Sequence, residues 1–421
     1  MTTTLRPAIP RDVARARIAV ALLFLTNGAL FANLVPRYPA IKADLALSNA
    51  DFGFAVASYP LGALIAGIAA GALIRRFRSS RIAVIGTVVT GLAVLSAGLA
   101  PSWLLLVIAL FVAGASDAIT DVAQNSHGLR VQAKYGRSIL NSFHAIWSIG
   151  AVAGGLMGAA AAGLQIPASI HLSVSALVFC SVSLTCYRFL LSGPEPTEHP
   201  EHPGLADGAD GAHGGTAAAS LRRSSIRLGT FAALIALVVI ASGSAIVEDA
   251  GATWAAVYLS GTLEASIAIA GFGFVALVGM QFIGRILGDS LVDRFGQRAV
   301  ARAGGAIILL GMGTALLFPS IVGSIIGFGL AGLGSATLVP AAMHAADELP
   351  GFRRGTGLTL LSWLMRLGFL FSPPIVGLVA DATTLRLGLA IVPVAGLLVL
   401  LLAGVLAPRT NPEQSIQVTA R

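Results

Sequence analysis

Long apolar runs separated by short polar loops set the pattern of this chain. Runs able to cross about 30 Å of hydrocarbon fall at about 17–37, 51–74, 81–100, 103–127, 138–163 and 169–190. A second set falls at about 228–258, 265–289, 299–318, 321–345, 355–380 and 385–407. The pattern predicts an all-α membrane protein with twelve transmembrane helices in two six-helix bundles. The expected organisation is a tail at 1–16, a first bundle at 17–191, a linker at 192–227, a second bundle at 228–407 and a tail at 408–421. The first tail is basic and lacks a small-residue cleavage site after a short apolar core, so it reads as cytoplasmic rather than as a cleaved signal. The linker is rich in Pro, Gly, Ala and acids and cannot bury a core; its His199, His202 and His213 read as solvated rather than metal-binding.

The two halves repeat each other. DFGFAVASYPLG at 51–62 aligns with GFGFVALVGMQF at 271–282, and LIRRFRSSR at 73–81 aligns with LVDRFGQR at 291–298. Parallel six-helix repeats are a transporter architecture, with a solute site near the midplane between them. Arg75, Arg76, Arg78 and Arg81, then Arg130, Lys134 and Arg137, occupy loops on one side, together with Arg222, Arg223, Arg227, Arg294, Arg298, Arg302, Arg353 and Arg354. The alternate loops hold only Arg37, Lys42 and Arg386, which places both termini in the cytoplasm.

Composition narrows the class further. With 56% hydrophobic and 11% charged residues and a mean hydropathy of +0.85, a chain this long is an integral membrane protein. Its net charge of +8 comes mostly from loop arginines, so topology explains it and a nucleic-acid partner is not implied. Cys180 and Cys186 lie six apart in one apolar run and imply neither a disulfide nor a metal site.

One stretch, Asp117 to Ser148, breaks the apolar pattern with costly residues. Asp117, Asp121 and Asn125 are spaced i, i+4, i+8 and form a helical stripe about 12 Å long. Asn141, His144 and Ser148 form a second stripe after a basic turn. A charge at a span centre costs roughly 2.5–3.5 kcal/mol on the insertion scale, so such groups face protein or water. The stripes are expected to line an aqueous cavity. Two carboxylates about 6 Å apart on one face are costly to charge together, which makes one a candidate proton carrier. Arg366, within the eleventh run, should pair with a carboxylate or bind a solute. Pro60, Pro340, Pro373 and Pro374 should kink their spans. Gly150, Gly154 and Gly158 allow close helix approach, either as static packing or as a sliding contact between halves.

These features resemble the major facilitator superfamily. The resemblance rests on the six-plus-six pattern, the long middle loop and the run Leu291, Asp293, Arg294, Phe295 and Gly296. NGALFANLVPRYPAI at 27–41, DVAQN at 121–125, SFHAIWSIG at 142–150, EDAGATW at 248–254 and FLFSPPIVG at 369–377 resemble the rhizopine-permease-like branch, related to fucose permeases. The resemblance implies alternating access around one central site, lined by the first, fourth, seventh and tenth spans. It implies a proton role for Asp121, with Asp117 and His144 as partners. It also implies a gating loop at Asp293 and Arg294, and at Arg75 and Arg76 in the first half, where Arg75 replaces the family's acid and Arg78 its turn glycine.

Candidate solute-binding residues are therefore Asn27, Asp121, Asn125, Asn141, His144, Glu248, Trp254, Gln281, Trp363 and Arg366. Glu248 is also a candidate for an outer gate, with Asp249 as a weaker one. Trp147, Trp254 and Trp363 are candidates to stack on a sugar ring, or else packing residues. His127 and His344 read as ordinary solvated histidines. The expected function is secondary transport of a small polar solute (sugar, polyol or inositol-like), coupled to protons, by a monomer in the cytoplasmic membrane, without cofactor or metal. The alternative is proton-driven efflux of drugs or metabolites. An enzyme or sensor is disfavoured because neither metal-ligand spacing nor a nucleophile–base arrangement stands out.

Overall fold

The computed structural model describes residues 10–136, 139–193, 228–350, 352 and 356–406. These form twelve helical spans long and apolar enough to cross a membrane. Spans 1 to 6 are Arg11–Asp44, Asn49–Phe77, Ser79–Gly98, Trp103–Tyr135, Leu140–Gly163 and Ala168–Phe189. Spans 7 to 12 are Gly229–Gly261, Ile267–Phe295, Gln297–Leu317, Ile321–Asp347, Thr356–Ala382 and Leu385–Val405. Arg137, Arg222, Arg223, Arg227, Arg353, Arg354 and the linker histidines lie outside the described residues. Ile18, Leu104, Leu177 and Leu401 stand exposed on the outward faces, where a bilayer, not water, is the matching solvent.

The first span is longer than the apolar run predicts. It continues through a 3-10 turn, Val35–Arg37, into Tyr38–Asp44. Arg37 is consequently buried rather than in a loop. It donates to His171 Nδ1 (3.3 Å) and to the Ile166 carbonyl (2.9 Å), while His171 Nε2 donates to Asn33 Oδ1 at 2.8 Å. A guanidinium satisfied this way ties span 1 to the start of span 6. His127 is a second correction. It is fully buried, takes the Leu191 N–H on Nε2 at 3.1 Å and meets Ser79 Oγ through Nδ1 at 2.9 Å. It joins spans 3, 4 and 6, whereas His344 remains exposed, 3.7 Å from Glu348.

The prolines act unevenly. Pro60 lies inside a continuous helix, Asn49–Phe77. Span 10 breaks between Ser335 and Leu338, where the ring of Pro340 would strike the carbonyl four residues earlier. Span 11 breaks at Met365, upstream of Pro373 and Pro374, and this break sets Arg366 at the first turn of the outer segment. The glycine ladder of span 5 resolves in favour of static packing. Added Cβ atoms at Gly150, Gly154 and Gly158 would strike Leu25, Ala29 and Asn33 of span 1, all within the same half.

Contact between the halves concentrates at the end opposite the arginine-rich loops. A Cβ at Gly53 on span 2 would strike the backbone of Pro373 on span 11, and one at Gly377 would strike Asn49. Spans 5 and 8 meet the same way, Gly155 against Phe274 and Gly163 against Ala268. Tyr38, Phe52 and Trp254 form an edge-on aromatic chain across this seal, with centroids 5.3 and 5.4 Å apart. The Asp381 carboxylate closes the rim. It accepts the backbone N–H groups of Asn49 (3.0 Å) and Ala50 (2.7 Å) and the Asn49 side-chain amide (2.8 Å). A carboxylate on orphan N–H groups at an exposed helix start is favoured by charge and hydrogen bonding alike, worth about 0.3–1 kcal/mol. The seal is shut, and the opposite end is open.

Two outcomes follow from these contacts. Loss of about 0.3–1 kcal/mol moves a two-state ratio roughly 2–5-fold. Asp381→Ala should therefore speed labelling of Val56→Cys, on the cavity wall, by a water-soluble maleimide added from the sealed side to a similar degree; an unchanged rate would show that the carboxylate does not hold the seal. The second concerns Arg78, which ends span 2 at φ 75° and ψ 145°, matching Gly296 after span 8 at φ 83° and ψ 154°. A side chain in this glycine region costs on the order of 1–3 kcal/mol. Arg78→Gly should raise the melting temperature, and Gly296→Ala should lower it.

Candidate functional site

Between the halves lies a cavity of about 450 Å³. From the first half it is lined by Asn27, Asp117 and Asp121, and from the second by Glu248, Gln281 and Arg366. The helical repeat explains the grouping. Asp117 and Asp121 are one turn apart on span 4 and share a face, while spans 1, 2, 5, 7, 8 and 11 supply the other walls; span 10, expected on the cavity, contributes none of the described lining.

The polar residues form three groups. In the first, Asn27 donates its amide to Asp117 Oδ1 at 2.7 Å and accepts the Trp147 indole N–H at 2.8 Å. Tyr59 stands beside the same carboxylate. In the second, Asn125 donates to Asp121 Oδ1 at 3.0 Å and accepts from His144 Nε2 at 3.1 Å. Asn125 thus stands between Asp121 and His144, and no direct aspartate–histidine bond forms. His144 also meets the ring of Phe24 edge-on at 5.2 Å. In the third, Gln281 donates to Glu248 Oε2 at 2.8 Å, with Arg285 at 3.8 Å.

Arg366 belongs to none of these groups. It is exposed and lines the cavity from the second half, as Asp121 does from the first. Asp121 and Arg366 make no ion pair with each other among the described residues. A charged pair held apart across a cavity is a place for a solute to bridge.

Several candidates sit elsewhere than their chemistry suggested. Trp254 is fully buried in the outer seal and cannot stack on a solute in the cavity. Trp363 is half exposed and is not part of the cavity wall. Glu248 lies in mid-helix on the cavity wall rather than in an outer gate. Asn125, Asn141 and His144 lie nearer the arginine-rich end, below the enclosed part, and Ser148 bonds back to the His144 carbonyl. Arg75, Arg76, Asp293 and Arg294 are exposed at that end, with Arg294 over the Phe295 ring at 5.3 Å. Sequence reasoning missed Arg285, although a charge four residues after Gln281 in an apolar run was a readable signal. It also missed Tyr59, which carries no charge to betray it.

Comparison with known proteins agrees with this architecture. The family model described as Major Facilitator Superfamily matches residues 20–290 and 249–421. An uncharacterised transporter, y4wD, of Sinorhizobium fredii is 32% identical over 92% of this chain and 97% of its own. Membrane protein MosC of Rhizobium meliloti is 27% identical over 90% of this chain and 88% of its own. Among solved structures, that of the nucleoside transporter NupG superposes with a TM-score of 0.70 at 13% identity, covering 94% of this chain and 99% of that one. Together with the twelve spans and the sealed, two-walled cavity, these matches show that the chain is a multi-pass membrane transporter, not an enzyme, and belongs to the Major Facilitator Superfamily on a branch related to MosC.

Proposed function

We propose that this transporter moves a small polar solute, a sugar, polyol or inositol-like compound, in a proton-coupled cycle of alternating access. The observation that carries the reading is Asp121 facing Arg366 from the opposite half across a cavity of about 450 Å³, within the range of small-molecule sites. Hydroxyl groups can donate to the carboxylate and accept from the guanidinium at once. The amide and indole groups of Asn27, Gln281 and Trp147 add donors and acceptors at fixed positions. A solute that bridges the halves favours their closing around it. Asp117 and Asp121 are the carboxylates that would exchange protons with cavity water, and His144 would sense Asp121 through Asn125. The positive-inside bias of the arginine-rich loops supports a cytoplasmic position for the open end.

A second reading keeps the fold and reverses the direction. Phe31, Val56, Phe274, Val278 and Phe369 also line the cavity, and apolar walls of this kind suit an exporter of drugs or metabolites.

A thermal-shift screen separates the two readings. A ligand bound only by the folded state stabilises it by about 2.7 kcal/mol at a hundredfold excess over Kd. A sugar or polyol should raise the melting temperature of the wild type and not of Asp121→Asn. Arg366→Gln should weaken the same compound by about 10–100-fold, the worth of a charge-assisted hydrogen bond. Stabilisation by lipophilic cations alone would instead favour export. Solute flux that ignores a pH gradient, with Asp121→Asn fully active, would end the case for proton coupling.

A further inference from the structure

Just inside the outer seal, one carboxylate lacks what every other cavity acid has. Asp117 receives Asn27, Asp121 receives Asn125, and Glu248 receives Gln281 with Arg285 close by. Asp249, more than nine-tenths buried on the cavity wall, has no hydrogen-bond partner at Oδ2. Its Oδ1 meets only the Thr253 hydroxyl, at a long 3.5 Å. The Ser372 hydroxyl of span 11 stands next to the carboxylate and is itself buried and unpartnered. The Tyr38 hydroxyl and the Trp254 indole N–H, from the neighbouring aromatic seal, are unpartnered as well.

Among the described residues no cation compensates Asp249. Its charged neighbour is Glu248 on its own helix, another acid, and the titratable group facing it from span 1 is Tyr38. Arg285 of span 8 lies near Glu248, and Arg366 of span 11 faces Asp121. Span 10 meets this helix through the Ser335 carbonyl, and span 12 through Ala395 and Val399. The unpartnered carboxylate oxygen and the unpartnered hydroxyl beside it leave a hydrogen-bond position unfilled on each, which one added proton would fill. A neutral acid also gains an O–H donor, which Ser372 Oγ can accept.

We propose that Asp249 is a second proton-binding site, in the half of the protein opposite Asp117 and Asp121, loaded when the outer seal parts and emptied into the cavity when it is shut. This rests on the proton-coupled reading above and adds a site to it. Asp249 lies between the Tyr38, Phe52 and Trp254 seal and the cavity, so rocking of the halves exchanges the side from which water reaches it. One O–H bond forms from outer water and one breaks to cavity water; nothing else changes covalently.

Infrared spectroscopy of the purified full-length protein at neutral pH tests the site without knowledge of the solute. The carbonyl band of a neutral carboxylic acid should be present in the wild type and lose a component in Asp249→Asn. In Ser372→Ala, which removes only the neighbouring hydroxyl, that component should persist at a shifted frequency. A band unchanged in both variants, or one abolished by exchanging potassium for sodium, would overturn the proposal. The two readings also fail separately. Acid-driven flux with no band component from Asp249 would reject this site and leave coupling intact. An Asp249 component with flux indifferent to pH would reject the coupled cycle while confirming that the site holds a proton.

Discussion

Charge inside an apolar bundle is the constraint on which the rest of this structure depends. Each ionised group at mid-span costs roughly 2.5–3.5 kcal/mol on the insertion scale unless protein or water receives it, against a total stability of about 5–15 kcal/mol. The molecule meets that cost in two ways. Arg37 and His127 are buried and bonded within one half, where they join helices. Asp121, Arg285 and Arg366 instead face a cleft that water can enter. Only the second solution leaves charge available to a solute.

The shape of the cleft follows from where backbones can touch. Gly53 and Gly377 let spans 2 and 11 meet at the outer end, while Gly155 and Gly163 do the same for spans 5 and 8. These contacts, the aromatic chain and Asp381 shut one end and splay the other. Within each half, glycines are used differently: Gly150, Gly154 and Gly158 pack span 5 immovably onto span 1. Tight packing inside the halves, with the contact between them concentrated at one end, is the arrangement that lets two bodies rock.

The fold was legible because span length and the repeat of Phe-Gly-Phe are local signals. The first-half cavity wall was legible too, since Asp117 and Asp121 advertise themselves by charge and helical spacing, whereas Asn125 on the same stripe is not part of the enclosed wall. The seal was not. Asp381 reads as an ordinary acid at a span end, and its role depends on a helix start more than 300 residues away in the chain. Trp254 stayed open between a sugar platform and a packing residue because composition cannot distinguish a ring facing a cavity from one buried in a gate, and the structure makes it packing. His127 looked solvated because its partners, Ser79 and Leu191, lie 48 and 64 residues distant. Arg78 was readable as a departure from the repeat, but the backbone angle it must adopt appears only in the structure.

Alternation between two ends is the central claim, and paired spin labels test it most directly. One pair would sit on the outer ends of spans 2 and 11 and another on their cytoplasmic ends, with distances followed as pH is lowered and candidate solutes are added. The account predicts that the outer distance lengthens as the inner one shortens. Distances that stay fixed under every condition, or that change together in the same direction, would contradict it.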